Sequence, residues 1–230
     1  MSLHTVPIAA RPEADFWFKS RGFEVRLWIL ILGIVNLGLI NQQPNLALHF
    51  SLEAVGRGEW WRILTWPFVH VSVYHLLLDG TAFLLLLDSL KQTPAWRRTF
   101  LVITACTGSL LVPLWLAPEL GQVGLCGLSG PAHGLAAVWA LEMIARRRSD
   151  SHGKRLGWLL LVGLFGKCAW ELWQGQVVFA DLHFGGIGHP VVSTHAGGLL
   201  GGLFGWLMLN IPTKDSGSPA GDNDNRGPES

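Results

Sequence analysis

Ser129 lies in Gly127-Leu128-Ser129-Gly130, and His195 lies in Ser193-Thr194-His195-Ala196-Gly197-Gly198. Each sits inside a long apolar segment, where polar and ionisable groups are costly and default to a functional reading. A serine hydroxyl becomes an effective nucleophile when a base takes its proton, and a neutral imidazole does so near pH 7. No acidic residue immediately flanks His195, so a two-residue Ser–His dyad fits better than a triad. A second chemistry is open to the same region. His75, Asp79, His133 and His195 are hard or borderline metal ligands and suit a metal-dependent membrane hydrolase, although no His-Glu-x-x-His motif accompanies them.

The elements that must position these groups read as membrane helices. Of 230 residues, 50% are hydrophobic and 14% charged, against about 25% charged in soluble domains. A net charge of +1 with no basic stripe excludes nucleic acid as a partner and leaves the lipid bilayer as the surroundings. Cys106, Cys126 and Cys168 lie in apolar segments without paired spacing and read as small packers. The polar start, with Arg11, Glu13, Asp15, Lys19 and Arg21, is unlike a cleavable signal, so the first apolar run is expected to stay as an anchor.

Six segments approach the roughly 20 apolar residues of a crossing: Arg26–Gln43, Val73–Leu90, Trp96–Leu116, Val123–Ala145, Leu156–Trp173 and Val191–Asn210. Residues 1–24 form a cytoplasmic N-terminal segment, 25–211 the six-span domain, and 212–230 a disordered polar tail. Pro44 to Ser72, with Trp60, Trp61 and Trp66, reads as an interfacial loop. Arg21, Arg26, Lys91, Arg97, Arg98, Arg146, Arg147, Arg148, Lys154, Arg155 and Lys214 fall on one side, against Arg57 and Arg62 on the other, so both termini are expected in the cytoplasm. His75, Ser129 and His195 then start spans two, four and six at one depth, about one or two turns in. Gly124, Gly127, Gly130 and Gly134 on span four are matched on span six by a lane of Gly197, Gly201 and Gly205, with Gly198 and Gly202 beside it. Small residues spaced four apart let membrane helices pack backbone to backbone.

After Gly58 several short patterns follow in order: Glu59-Trp60-Trp61-Arg62, then His70, then His75-Leu76-Leu77-Leu78-Asp79. Gly127-Leu128-Ser129-Gly130 comes next, and His195-Ala196-Gly197-Gly198 with Gly202 closes the series. Together they resemble the rhomboid family of intramembrane serine proteases. Ser129-Gly130-Pro131-Ala132-His133-Gly134, Lys167-Cys168-Ala169-Trp170-Glu171 and Val191-Val192 resemble its rhombosortase branch more narrowly. The resemblance implies an all-α integral membrane fold, a six-transmembrane-helix rhomboid-like bundle. It implies Ser129 as nucleophile and His195 as general base, with the Ser129 N–H and the His75 side chain stabilising the oxyanion. Gly127, Gly130, Gly198 and Gly202 support them. His133 stands where the family commonly has an aromatic stacked beneath the catalytic imidazole. It can stack there, hydrogen-bond that ring, or be the base itself, since it lies four residues after Ser129 on one helical face; the glycine pattern around His195 favours His195 as the base. No cofactor or metal is implied.

The expected substrates are single-span or C-terminally anchored membrane proteins with a glycine-rich motif, cut free of a Gly-Gly-type anchor. The expected location is the bacterial inner membrane, multi-pass, with the active site opening to the periplasm. Asp79 departs from the family's pattern, which has Asn there as an oxyanion partner. Either Asp79 is held protonated, or it faces away and pairs with His75 one turn earlier. Glu171 reads as an interfacial carboxylate paired with Lys167, and His183 and His189 as solvated loop residues. The loss of Asn at 79 also suits a non-catalytic rhomboid-like protein that binds membrane helices, although both Ser129 and His195 remain.

Overall fold

The computed structural model describes residues 12–90, 93–146, 151–178 and 185–211, and among these it is helical. The polar tail 212–230 and His183 lie outside the described residues. In chain order the α-helices are α1 (Pro12–Val35), α2 (Leu52–Gly56), α3 (Arg62–Thr65), α4 (Val73–Ser89), α5 (Ala95–Leu116), α6 (Leu120–Val123), α7 (Ser129–Ala145), α8 (Ser151–Gln174) and α9 (Ser193–Asn210). By length and composition α5 and α8 can cross a membrane. So can the pair Arg62–Phe68 and Val73–Ser89, bent by 94° at its break. Helices α4 and α7 have 17 residues each, the short end of the roughly 17–25 that a crossing takes.

Helix α9 is the centre of the bundle. It packs on α5 and α7, while α8 lies outside α7 and α9, α4 against α7, and α1 against α4. Lipid tails are as apolar as leucine, so helices inside a bilayer gain little from hiding apolar surface and depend on close packing. The two glycine lanes of α9 divide that work. A Cβ on Gly198 or Gly202 would overlap the carbonyl oxygens of Gly130 and Gly134 on α7. A Cβ on Gly197 or Gly201 would overlap those of Gly108 and Thr104 on α5. Both sides of α9 thus meet a neighbour's main chain. The outward faces of α5 and α8 are large and apolar, with Trp115 90% and Trp173 74% exposed, as a lipid-facing surface requires.

Several expected boundaries move. Helix α1 starts at Pro12 and ends at Val35, not at Arg26 and Gln43. Asn36 follows its last residue and ties it to the next segment: its Nδ2 donates to Leu32 O at 2.8 Å and to Phe68 O at 2.7 Å. The helix of the fourth span starts at Ser129, not Val123. Gly124 and Gly127 precede it with φ of +70° and +97°, outside helical geometry, so they are loop residues and not part of a packing lane.

The stretch expected as an interfacial loop is a folded cap. Trp66 is buried there, while Trp60 and Trp61 stay exposed. Buried Arg62 organises it, donating to Glu59 Oε2 (2.8 and 2.6 Å) and to the carbonyls of Leu46 (2.6 Å) and His49 (2.8 Å). Phe50 and Leu125 then exchange backbone hydrogen bonds at 3.0 Å, and Gly127 N donates to Trp66 O at 3.3 Å. The cap therefore fixes the short strand-like approach that delivers Ser129 to the head of α7.

Candidate active site

A cavity of about 640 Å³ opens at the heads of α4, α7 and α9, and its walls include His75, Asp79, Ser129, His133, Lys167, Glu171 and His195. Ser129 is the first residue of α7, and His75 and His195 lie in the first turns of α4 and α9. Ser129 and His195, 66 positions apart by sequence, share a wall because α7 and α9 touch through Gly130, Gly134, Gly198 and Gly202. His189 also reaches the cavity, although it is exposed, and so does His49.

His133 stacks on His195, with ring centroids 4.2 Å apart and planes 14° from parallel. Its Nδ1 donates to the Ser129 carbonyl at 2.7 Å, one turn back along α7. Of the placements open to His133, the ring adopts the stacked one.

Asp79 meets one part of its expectation and departs from another. It pairs with His75 (Oδ2 to Nε2, 3.0 Å), yet it does not face away. The same Oδ2 accepts the N–H groups of Leu128 at 3.1 Å and Ser129 at 3.0 Å. The first N–H groups of a helix lack internal partners, and a negative charge there is favourable. Leu128, at the cap position of α7, offers no side-chain cap, so Asp79 caps α7 from a neighbouring helix. Gly127 makes room for this contact: a Cβ there would stand 2.8 Å from Asp79 Oδ2 and 2.9 Å from His75 Nε2, and its φ of +97° favours glycine. His70, fully buried, lies edge-on to His75 and 4.0 Å from Asp79.

The Ser129 N–H assigned to an oxyanion is thus held by a carboxylate. Asp79→Asn keeps an acceptor for the two N–H groups and removes the repulsion on a nearby oxyanion. It is expected to lower stability by about 1 kcal/mol through the lost charge at the helix end, with peptidase activity at or above wild type. Thermal unfolding and cleavage assays check this; activity as low as that of Ser129→Ala shows that the charge itself is required.

Glu171 has more partners than Lys167 alone. It is fully buried, its Oε2 stands 2.7 Å from His195 Nδ1, and its Oε1 accepts from Lys167 Nζ at 2.6 Å and from Val178 N at 2.9 Å. The expected Lys167 pairing is present. The contact with His195 had no local sign, because 24 residues and a loop separate the two. A carboxylate inside an apolar run was the available signal. Gly175, with φ +69°, ends α8 and turns the chain so that Val178 reaches Glu171.

The four residues considered as metal ligands do not gather as a set. Among the described residues, His133, Cys168 and Glu171 are the group with ligand atoms within 4.8 Å of one another. There both carboxylate oxygens of Glu171 are already engaged, and the three cysteines are free thiols.

The family model described as the Rhomboid domain matches residues 57–211. No curated protein and no solved structure matches the chain.

Proposed function

This chain belongs to the rhomboid family of intramembrane serine proteases, and from that premise we propose that it is an active endopeptidase working through Ser129 and His195. As a member it is an integral membrane protein. The observation that carries the reading is the shared cavity: a hydroxyl and an imidazole on separate helices, brought to one wall by glycine contacts. His195 accepts the Ser129 proton as Oγ attacks a peptide carbonyl. It returns that proton to the leaving amine, and an acyl-enzyme remains. A water molecule, deprotonated by His195, then attacks the ester, releases the new carboxyl end and restores the serine.

The narrower reading places the protein in the rhombosortase branch, on Ser129-Gly130-Pro131-Ala132-His133-Gly134 and Lys167-Cys168-Ala169-Trp170-Glu171. Its substrates are then exported proteins with a C-terminal Gly-Gly motif, one membrane helix and a basic end. It works as a six-span protein of a bacterial inner membrane with both termini cytoplasmic and the cavity facing the periplasm. Glycine lowers helix stability by about 1 kcal/mol per residue, which favours unwinding of the scissile segment.

Co-expression with an exported protein carrying such a tail tests this. Wild type is expected to release the protein from its anchor, and Ser129→Ala to leave it uncut. An uncut tail in both overturns the substrate class, and cutting by Ser129→Ala overturns the nucleophile.

A further inference from the structure

The nearest neighbours of His195 Nδ1 decide what its other nitrogen can do. Glu171 Oε2 stands 2.7 Å away and Lys167 Nζ 3.4 Å away. These neighbours demand opposite tautomers. A carboxylate accepts, so Nδ1 must carry a proton; an ammonium donates, so Nδ1 must be bare. The shorter contact is to the carboxylate, and Lys167 already donates to Glu171 Oε1 at 2.6 Å. The hydrogen-bond network therefore assigns the proton to Nδ1. Nε2 is left as the lone-pair nitrogen, which a base for Ser129 needs.

From this we infer that Glu171 is the third member of a Ser–His–Glu relay, a positioning residue that acts through His195. The inference rests on the Ser129–His195 reading above. Glu171 holds the imidazole in the Nδ1–H tautomer, orients the ring, and lies beside the positive charge that forms when Nε2 takes the Ser129 proton. No proton passes to Glu171. It is itself held by three contacts: Lys167 and Val178 N on Oε1, and His195 on Oε2. Burial with both carboxylate oxygens engaged is what a residue of fixed orientation requires. His133, stacked on the His195 ring with centroids 4.2 Å apart, limits the tilt of that ring.

The geometry also separates this role from a merely structural one. A structural carboxylate needs Lys167 and Val178 N alone; the bond to His195 adds nothing to the ending of α8. Replacing Glu171 by Gln keeps shape and offers an amide, which can donate to Nδ1 and turn the imidazole to the wrong tautomer.

Purified full-length protein in liposomes, labelled at Ser129 by a fluorophosphonate probe, gives the test. Glu171→Gln is expected to slow labelling on the order of 10²- to 10³-fold in protein that still unfolds cooperatively, and Glu171→Asp to restore part of the rate. Wild type with ¹⁵N-labelled histidine is expected to show a downfield proton on His195 Nδ1 that His195→Ala lacks. Labelling of Glu171→Gln within twofold of wild type overturns the inference. A wild-type spectrum with His195 Nδ1 unprotonated overturns it too, whether or not the variants fold. Full labelling of His195→Ala instead overturns the underlying reading of His195 as the base.

Discussion

His195→Ala is expected to reduce substrate cleavage to the level of Ser129→Ala, a loss on the order of 10⁴-fold or more, because nucleophile and base act as one unit. His133→Ala is expected to lose far less, roughly tenfold, and His133→Phe less still. Both histidines lie on the cavity wall, and residues four apart on a helix are neighbours, so proximity to Ser129 does not choose between them. Their bonds do. Nδ1 of His133 is committed to the Ser129 carbonyl at 2.7 Å, and its ring lies nearly parallel to that of His195 at 4.2 Å. Stacked rings do not exchange hydrogen bonds; one serves as a platform for the other. An aromatic ring without titratable nitrogens can replace a platform, and none can replace a base. Cleavage rates of the three variants, measured beside Ser129→Ala, check the assignment. Full activity without His195 sinks it.

Gly198→Leu is expected to destabilise the fold by roughly 3 kcal/mol or more and to remove activity with it. Gly163→Leu, by contrast, is expected to change stability by less than about 1 kcal/mol. Both glycines lie on long apolar helices, and the difference lies in what faces them. A Cβ on Gly198 would overlap the Gly130 carbonyl oxygen and stand 2.8 Å from Ser109 Oγ. Nothing lies within 4 Å of a Cβ on Gly163, which is exposed on α8. Main chain cannot step aside as the end of a flexible side chain can. The cost at Gly198 is therefore a separation of α7 from α9, which also separates Ser129 from His195. Thermal unfolding in detergent and fluorophosphonate labelling report both effects. Equal stability of the two variants contradicts the packing described.

Much of this arrangement was legible in the sequence because it repeats at helical spacing. Gly130 and Gly134 answer Gly198 and Gly202 four residues at a time, and an apolar surround marks Ser129 and His195 as costly. Which lane of α9 faces which neighbour was not legible, since periodicity gives a helix two glycine faces without naming the helix opposite. The carboxylates were harder. Asp79 caps α7 only because Gly124 and Gly127, at positive φ, stop the helix at Ser129. Glu171 meets His195 only once α8 packs beside α9. Both contacts are made between helices, and neither leaves a pattern within its own segment. Arg62 shows the intermediate case: its neighbourhood of tryptophans was visible, and its grip on the carbonyls of Leu46 and His49 was not.

The main-chain contact between α7 and α9 works like a keyed joint. Side chains that interlock can choose among rotamers and absorb small errors in length; bare peptide groups have no such play. The register of Gly198 against Gly130 also sets the azimuth of His195, three residues earlier on the same helix. One residue added between them would turn His195 by about 100° around the helix axis, off the wall it shares with Ser129. Length can therefore vary in the loop before α9 or beyond Gly205, while the stretch from His195 to Gly202 admits neither insertion nor deletion.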